Sequence, residues 1–322
     1  WLDVDAAGLA RTALADAALS LLLPAVLAGH QDRYGALPGG EVAVVLLGKA
    51  GSREMMAGSD LDLMLIYTHP PGVAESTGRR SIPSSQWFIR AAHAYVAALT
   101  APGMEGALYA VDMRLRPSGN KGPVAVSLAA FQRYHAQDAW TWERMALTRA
   151  RVVAGGPAVC ARVERAIAEA LAAPRDAAQT RADAVAMRGR LSRDLPPSGP
   201  WDTKLRPGGG LVEFIAQTLQ LVHGVRPGCQ NTSAALQVLA GAGVLPEADV
   251  AMLIAANRLW RTVQSMVRIT IGRGGAELPA PAAQALLRVA GAGLDLPALH
   301  ASMDATAAQV RDAFIRHIGV PG

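Results

Sequence analysis

The chain has 322 residues, which is enough for two domains with separate hydrophobic cores. Its hydrophobic content of 51% excludes wholesale disorder, and its formal net charge of +5 suits an anionic partner such as a nucleotide, a nucleic acid or an acidic protein surface. A soluble, arginine-rich protein without such a partner would have the same composition. The two cysteines, Cys160 and Cys229, have neither metal-site nor redox-motif spacing, which predicts a reduced, cytoplasmic setting.

Residues 3–29 are predicted to form one or two helices, with Pro24 as a break or kink. The apolar stretch from Ala13 to Ala28 contains Asp16 and Pro24, and it is shorter than the about 20 residues that a membrane span needs. No basic region or cleavage site precedes it. The sequence therefore predicts neither a membrane segment nor a signal peptide.

Two strands joined by a glycine turn come next. Val42–Leu47 is an unbroken apolar run, which is typical of a strand buried on both faces. The turn Gly48–Ser52 follows, and a second strand, predicted over Asp60–Tyr67, begins with two acidic residues. Because alternate residues of a strand share a face, Asp60 and Asp62 point the same way. Adjacent carboxylates repel each other and are costly to bury, so this pair predicts a bound divalent cation.

A third carboxylate comes from a later predicted strand over residues 108–116. Its residues alternate between apolar and polar, and Asp112 lies on the polar face. If this strand neighbours the second one, Asp60, Asp62 and Asp112 converge. Three carboxylates can hold one or two Mg²⁺ ions, which prefer oxygen ligands and often bind substrate phosphates as well. The sequence therefore predicts a magnesium site for phosphoryl chemistry.

The glycine turn and nearby basic residues are predicted to bind phosphate. Gly48–Ser52 precedes a predicted helical turn over Arg53–Met56, and backbone N–H groups in this setting suit an anion. The turn has neither a Walker A pattern nor a GxGxxG pattern. The cations predicted nearby are Lys49, Arg53, Arg114, Arg116 and Lys121. A salt-bridged strand face for Arg114 and Arg116, and solvent-facing positions for the two lysines, remain alternatives.

The remaining predicted elements include both helices and strands up to about residue 155, and helices alone after it. A short strand is predicted at 124–127, and none after about residue 155. Helices are predicted at 86–100, 128–150, 156–195, 211–222, 232–242, 247–272, 280–291 and 295–318. The fold class is therefore α+β, with a catalytic domain over residues 1–154 and an all-helical bundle domain over 155–322. Trp140, Trp142 and Trp201 are predicted to pack in the core or between domains.

Several motifs resemble known proteins. A Gly-Ser turn followed by Asp-Leu-Asp-Leu on a strand resembles the nucleotidyltransferase superfamily that includes polymerase β. The segments LLGKAGSREMMAGSDLDLMLIY, VDMRLRPSGNKGPVA, DAWTWERMALTRARVVAG and PGGGLVEFIAQTLQLVHG, in this order, resemble the bacterial bifunctional glutamine synthetase adenylyltransferase/adenylyl-removing enzymes. The resemblance covers nearly the whole chain. RLRPSG and AWTWERMALTRARVV are similar to the C-terminal, adenylylating half of that family.

The resemblance implies a polymerase-β-like domain that transfers AMP from ATP to a tyrosine hydroxyl of glutamine synthetase and releases pyrophosphate. It implies that Asp60 and Asp62 bind Mg²⁺, and that Asp112 completes the site and helps to deprotonate the tyrosine, whose ordinary pKa is about 10. The implied nucleotide-binding residues are Gly48, Lys49, Gly51, Ser52, Arg53, Ser59, Arg114, Arg116 and Lys121, with Gly51 and Ser52 cradling the ATP phosphates. A PII-type regulatory protein is a further implied partner, whereas neither nucleic acid nor a membrane is expected.

Other functions remain open at this point. The same fold can catalyse the reverse reaction, which is phosphorolytic removal of AMP from adenylylated glutamine synthetase. A nucleotidyltransferase acting on nucleic acid suits the basic charge, although the aromatic content is only 5%. A non-catalytic regulatory module is a third alternative, because the family pattern Gly-Gly-Leu-Val-Asp-Ile-Glu-Phe is two residues shorter here, where Gly209–Val212 runs directly into Glu213. That glutamate is then either a remnant of the acidic pair or an exposed helix-start residue.

Overall fold

The structure is a computed structural model that divides into two compact units. It describes residues 3–104, 106–195, 197, 199–203, 210–226, 230–272, 277–291 and 293–320. The sheet unit comprises Ala10–Arg53 and Ser59–Ala173, and the helical unit comprises Trp1–Leu9, Glu54–Gly58 and Pro174–Gly322. The mixture of helices and strands confirms the α+β class. The finer polymerase-β-like fold stays a prediction.

The sheet unit alternates helices with short strands. In chain order its elements are α1 (Val4–Tyr34, of which the first residues count with the helical unit), β1 (Glu41–Leu46), α2 (Gly48–Gly51), β2 (Leu61–Thr68), α3 (Ser84–Leu99), β3 (Pro102–Gly103), β4 (Gly106–Ala107), β5 (Val111–Asp112), β6 (Ala125–Ser127), α4 (Leu128–Gln137), α5 (Thr141–Leu147), β7 (Arg151–Gly155) and α6 (Pro157–Ala172). Because α6 packs on β7 and β1, this unit extends past the predicted domain boundary at residue 154.

The main sheet is built around β1 and β2, the two strands predicted from the apolar runs. β1 pairs antiparallel with β2 on one side and with β7 on the other. β2 pairs in parallel with β5 at its start and with β6 further along. Residues 42–46 of β1 are all buried, as expected for a strand with neighbours on both sides. The predictions for β1, β2 and β6 are therefore confirmed to within about one residue at each end.

α1 is one continuous helix, which is one of the two predicted arrangements, and Pro24 does not break it. Ala15, Leu19 and Leu23, spaced four residues apart, form a buried stripe on the sheet unit. Asp16 forms a salt bridge with Arg151 of β7. This tertiary packing holds the helix despite the N–H that proline lacks. By length and composition alone α1 could span a membrane, a test that helices of soluble proteins also pass.

The predicted strand over residues 108–116 is wrong in its length. Only Val111 and Asp112 pair with β2, and the chain then turns back on itself. The guanidinium of Arg116 donates to the carbonyl oxygens of Met113 at 2.7 Å, Gly122 at 3.2 Å and Pro123 at 3.0 Å. These bonds stabilise a turn where the alternating pattern predicts extended chain, so Arg116 does not belong to a polar strand face.

Two further local predictions are also corrected. The helical turn predicted over Arg53–Met56 lies earlier, at α2, and Arg53 has a left-handed φ of 59°. The helix predicted over 128–150 is two helices, α4 and α5, and it is followed by the unpredicted strand β7. β7 has only five residues, and its pairing with β1 contains a register shift between Val44 and Val45. Pairing with β1, rather than a pattern in the local sequence, therefore makes residues 151–155 a strand.

The described residues of the helical unit contain six helices, close to the predicted positions. They are α7 (Ala177–Asp194), α8 (Leu211–His223), α9 (Thr232–Gly241), α10 (Glu247–Ile271), α11 (Ala280–Ala290) and α12 (Leu296–His317). α10 contacts α8, α9, α11 and α12 and is the centre of the bundle. Leu211, Ile215 and Leu219 are buried along α8, as their spacing predicts.

The tryptophans divide between core and surface. Trp201 is buried, as predicted, whereas Trp140 is 70% exposed and Trp142 is 39% exposed, so the packing role predicted for these two is wrong. The short helix α5 buries Glu143, Met145 and Leu147 instead, and these positions leave the two aromatic rings at the surface.

Candidate active site

The site is built where β2 begins beside β5. The two strands are parallel, and Asp62 is the direct partner of Asp112. Side chains at paired positions of neighbouring strands project from the same face, so the two carboxylates lie side by side. Asp60 precedes β2 and lies two residues before Asp62. The structure therefore confirms that the two strands are neighbours, and this was the condition for convergence of the three aspartates.

The glycine turn begins directly against Asp62. Gly48 has a φ of +54°, and a Cβ atom built on it would lie 2.0 Å from Oδ2 of Asp62. The backbone N–H of Leu47 donates to the carbonyl oxygen of Asp62 at 2.8 Å. Only glycine allows the chain to turn this close to the carboxylate. The turn and the first carboxylate of β2 therefore form one structural unit.

The second half of the turn is packed against backbone. A Cβ atom on Gly51 would lie 2.1 Å from the carbonyl oxygen of Arg149. The hydroxyl of Ser52, a fully buried residue, donates to the carbonyl oxygen of Lys49 at 3.4 Å. The Arg151 guanidinium donates to the carbonyl oxygens of Gly51 at 3.3 Å and Ala50 at 3.1 Å. The turn is thus held from several sides, whereas Arg53 at its end is exposed.

Asp112 is held by Arg114, the residue two positions later. Its Oδ1 atom accepts the backbone N–H of Arg114 at 2.8 Å, and the guanidinium donates to both carboxylate oxygens. These side-chain bonds hold the pKa of Asp112 below its usual range, although partial burial opposes them. Asp112 in this conformation is therefore an ionised carboxylate with a cation already in place.

Arg114 also lies in the field of the other two aspartates. The pKa of Arg114 is raised, first by its hydrogen bond with Asp112 and then by the charge of Asp112, and Asp62 and Asp60 add contributions of the same sign. The charge of Arg114 therefore interacts favourably with all three carboxylates. Its side chain is 72% exposed, so it can leave this position without disturbing the core.

The remaining predicted cations are placed differently. Burial lowers the pKa of Arg116, whose donors are bonded to backbone carbonyls of its own turn. Lys121 is exposed at the end of that turn, in the 3₁₀ segment Gly119–Lys121. Lys49 lies within α2, and Ser59 is half-buried just before Asp60. Arg114 is thus the predicted cation whose charge acts on all three aspartates.

The three aspartates have the donor chemistry that Mg²⁺ requires, since Asp62 and Asp112 are paired carboxylates on neighbouring strands and Asp60 directly precedes β2. Within the described ranges of the chain, however, no three His, Cys, Asp or Glu side chains are close enough together to hold a metal ion. At the predicted site, the carboxylate of Asp112 is paired with Arg114 instead. The three carboxylates are suitable ligands for Mg²⁺, and Asp112 could bind the ion once Arg114 has moved away.

One structurally important residue, which follows the glycine turn in the sequence, was not predicted. Glu54 follows the glycine turn, and the segment Glu54–Gly58 belongs to the helical unit. Its carboxylate is fully buried, accepts the hydroxyl of Thr232 at 2.8 Å and the amide of Asn257 at 3.4 Å, and lies 3.6 Å from the Arg261 guanidinium. The available signal was a charged residue beside Met55 and Met56 within a motif that carries the family resemblance.

The glycine segment before Glu213 falls mostly outside the described residues, since positions 204–209 are not described. Gly210 has a left-handed φ of 68° and precedes α8, and Glu213 is half-buried in the first turn of that helix. Glu213 thus lies at the helix N-terminus, where a negative charge is favourable.

Comparison with known proteins gives the family. A sequence model described as glutamate-ammonia ligase adenylyltransferase matches residues 2–166, about half of the chain, and this range contains Asp60, Asp62 and Asp112. The chain belongs to the glutamate-ammonia ligase adenylyltransferase family. A second model, GlnD PII-uridylyltransferase, matches residues 202–317 within the helical unit.

Curated relatives in this family carry the name bifunctional glutamine synthetase adenylyltransferase/adenylyl-removing enzyme. The relative from Rhizobium meliloti (strain 1021) is 44% identical over 82% of this chain and 27% of its own length. Those from Agrobacterium fabrum (strain C58) and Caulobacter vibrioides are 41% and 43% identical, each over 97% of this chain and 32% of its own length. The chain therefore spans about a third or less of the relatives that it matches.

Proposed function

We propose that the chain transfers AMP from ATP to a tyrosine hydroxyl of glutamine synthetase, in the cytoplasm, and that it corresponds to the C-terminal, adenylylating half of its relatives. The observation that carries this is the direct pairing of Asp62 with Asp112 beside Gly48, in a chain of this family. The proposal of glutamine synthetase as the protein substrate rests on the name of the relatives. The match to the PII-uridylyltransferase model favours a PII-type regulator as a second partner. A polymerase-β-like fold of the sheet unit is part of this proposal.

Asp60, Asp62 and Asp112 would hold one or two Mg²⁺ ions on the common strand face. When bound, Mg²⁺ supplies charge neutralisation for the ATP phosphates and stabilises the attacking and leaving oxygens. Arg114 would leave Asp112 and bind the phosphates of ATP, and its exposed side chain permits this movement. The glycine turn and the neighbouring residues Lys49, Ser52, Arg53, Ser59, Arg116 and Lys121 complete the proposed ATP-binding set.

In the reaction, the phenolic oxygen bonds to the α-phosphorus of ATP while the bond from that phosphorus to the bridging oxygen of the β-phosphate breaks. AMP stays on the tyrosine, pyrophosphate leaves, and the phenolic proton passes to a base. Asp112 is the proposed base. While it is paired with Arg114 its lowered pKa makes it a weak one. The departure of Arg114 removes the main cause that lowers that pKa, and the carboxylate oxygen of Asp112 that Mg²⁺ leaves free would take the proton.

The test follows labelled ATP in the presence of Mg²⁺ and glutamine synthetase. We expect the adenine-bearing label on a synthetase tyrosine, with at least about a 100-fold loss of rate for Asp62→Asn. Asp32→Asn on α1 removes the same charge from an exposed position and should leave the rate unchanged. Label entering RNA, or entering no acceptor with a folded chain, would refute the proposal.

The second candidate is the reverse activity, favoured by the bifunctional name of the relatives. It is tested with adenylylated glutamine synthetase and orthophosphate. Release of ADP without any forward transfer from ATP would assign the chain to AMP removal instead.

A further inference from the structure

A cavity of about 440 Å³ lies between the end of α1 and α3, and it contains none of the residues proposed for AMP transfer. Its polar lining consists of His30, Arg33, Tyr34, Arg90 and His93. Among the described residues that line it there is no Asp or Glu, so the cavity is strongly electropositive when its guanidinium groups are charged.

The two arginines converge on one aromatic ring. The guanidinium carbons of Arg33 and Arg90 lie 5.3 Å and 5.2 Å from the centre of the Tyr34 ring. Neither guanidinium has an ion pair in the part of the chain that the structure describes. Both guanidinium groups line the same cavity, and an anion bound there would be attracted by both charges. The planar fork of arginine matches the oxygens of carboxylates and phosphates.

His30 forms part of the wall of the same cavity. Its residue is only 6% exposed, its ring packs against Tyr34 and Trp87, and its Nε2 atom is buried with no hydrogen-bond partner among the described residues. Burial is the first cause that lowers the pKa of His30, and the charges of Arg90 and Arg33 lower it further. Because Nε2 is buried, an anion in the cavity would reach it only if the ring moved, so His30 contributes an aromatic edge to the cavity rather than a hydrogen bond.

A purely structural role explains only part of this arrangement. Arg33 lies in the last turn of α1, where a cation is favourable to the helix dipole. Arg90, however, lies in the interior of α3, where this effect is absent. Trp87 beside it donates its ring N–H to the carbonyl oxygen of Gly35 at 3.0 Å, which fixes α3 against the end of α1. The cavity is therefore held in shape by contacts other than its arginines.

We propose that this cavity is a binding site for a small oxyanion, a carboxylate or a phosphate, separate from the AMP-transfer site. Arg33 and Arg90 would bind the anion's oxygens, and His93 and His30 would lie at its edge. This site does not depend on the proposed AMP transfer.

Binding can be measured by NMR titration of the histidine rings in the full chain, with inorganic phosphate and with succinate as separate probes. The His93 signal is assigned with His93→Gln. We expect a saturable shift of that signal, and the probe that binds more tightly identifies the anion class. Because the readout is local, phosphate bound elsewhere in the chain does not interfere. Asp62→Asn should abolish AMP transfer and leave this titration unchanged.

Two charge-matched double variants decide whether the site is specific. Arg33→Gln/Arg90→Gln should weaken binding at least tenfold, whereas Arg79→Gln/Arg80→Gln, at two exposed loop positions, should leave it unchanged. Arg90→Lys keeps the charge but loses the fork, and it should weaken binding by a smaller factor. Shifts that do not saturate with either probe, or equal losses in the two double variants, would overturn the proposal.

Discussion

Gly48 and Asp62 are in contact at the start of the candidate site, where a Cβ atom on the glycine would lie 2.0 Å from Oδ2 of the aspartate. Because the clashing atom belongs to the end of a side chain, Gly48→Ala would displace the carboxylate rather than the strand. We expect a fall in kcat of about ten- to a hundredfold, since a misplacement of about 1 Å can cost that much. Adenylylation kinetics together with thermal unfolding would measure it.

The matched control for this variant is Gly72→Ala. Gly72 also has a positive φ, +89°, but a Cβ atom there would meet nothing within 4 Å. Both variants thus introduce backbone strain, and only the first moves Asp62. Equal activity of the two would show that the contact with Asp62 does not matter to catalysis.

Gly51→Ala should behave in the opposite way and destabilise the fold itself. Its Cβ atom would lie 2.1 Å from the carbonyl oxygen of Arg149 and 2.9 Å from that of Leu46, both of which are backbone atoms. Backbone next to a paired strand cannot rotate away, so we expect the free energy of unfolding to fall by about 3 kcal/mol. Denaturant unfolding would measure this loss, and a loss no larger than that of Gly48→Ala would contradict it.

Sequence patterns were sufficient where the determining contacts are local. The apolar run of β1 and the alternation of β2 gave both strands to within about a residue, and the spacing in α8 gave its buried face. The aspartates could be foreseen as a cluster only on the condition that β5 pairs with β2. Nothing in a single sequence fixes that pairing, which depends on the packing of the whole sheet.

The wrong prediction of a long strand around Asp112 and the failure to single out Glu54 have a different cause. The segment after Asp112 alternates like a strand, yet the bonds from Arg116 to three backbone carbonyls form a turn. Glu54 was missed because its partners Thr232 and Asn257 lie 178 and 203 residues away along the chain. Side chains bonded to backbone, or to distant residues, leave no periodic signal in the sequence.

Pro24→Ala should stabilise the chain. Proline within α1 lacks the N–H that would bond to the previous turn, yet the helix continues through it. The residue is exposed, so the replacement removes little packing. We expect the free energy of unfolding to rise by about 1–3 kcal/mol. The rise is limited because the unfolded chain is more flexible with alanine than with proline. A higher Tm would support this, whereas an unchanged or lower Tm would show that the proline bend is needed by the packing of α1.

Arg114→Gln should raise the pKa of Asp112 toward its ordinary value, because the guanidinium is the main cause that lowers it. A carboxylate with a lowered folded pKa contributes stability above its unfolded pKa of about 3.8, and that contribution disappears as the pH falls through the folded pKa. The difference in unfolding free energy between wild type and variant should therefore shrink as the pH falls below about 4.

Carbon NMR of the Asp112 carboxyl would follow its pKa directly, and Arg116→Gln is the control. Arg116 contributes less to that pKa than Arg114 does, so its variant should shift the titration less. If both variants shift it equally, the direct bond from Arg114 is not the cause.

Glu54→Ala should destabilise the helical unit strongly. The carboxylate is fully buried and accepts hydrogen bonds from Thr232 and Asn257, and its removal leaves two donors buried without this acceptor. It also removes an acidic neighbour of the buried Arg261, which keeps its salt bridge with Asp5. Breaking a buried charged network of this kind costs about 3–5 kcal/mol.

Glu54→Gln keeps the shape and one acceptor oxygen and should cost clearly less, and Thr232→Val removes a single bond and should cost about 1 kcal/mol. Denaturant unfolding of the three variants would measure this order, and equal losses for alanine and glutamine would show that packing volume, rather than the hydrogen bonds, is what Glu54 contributes.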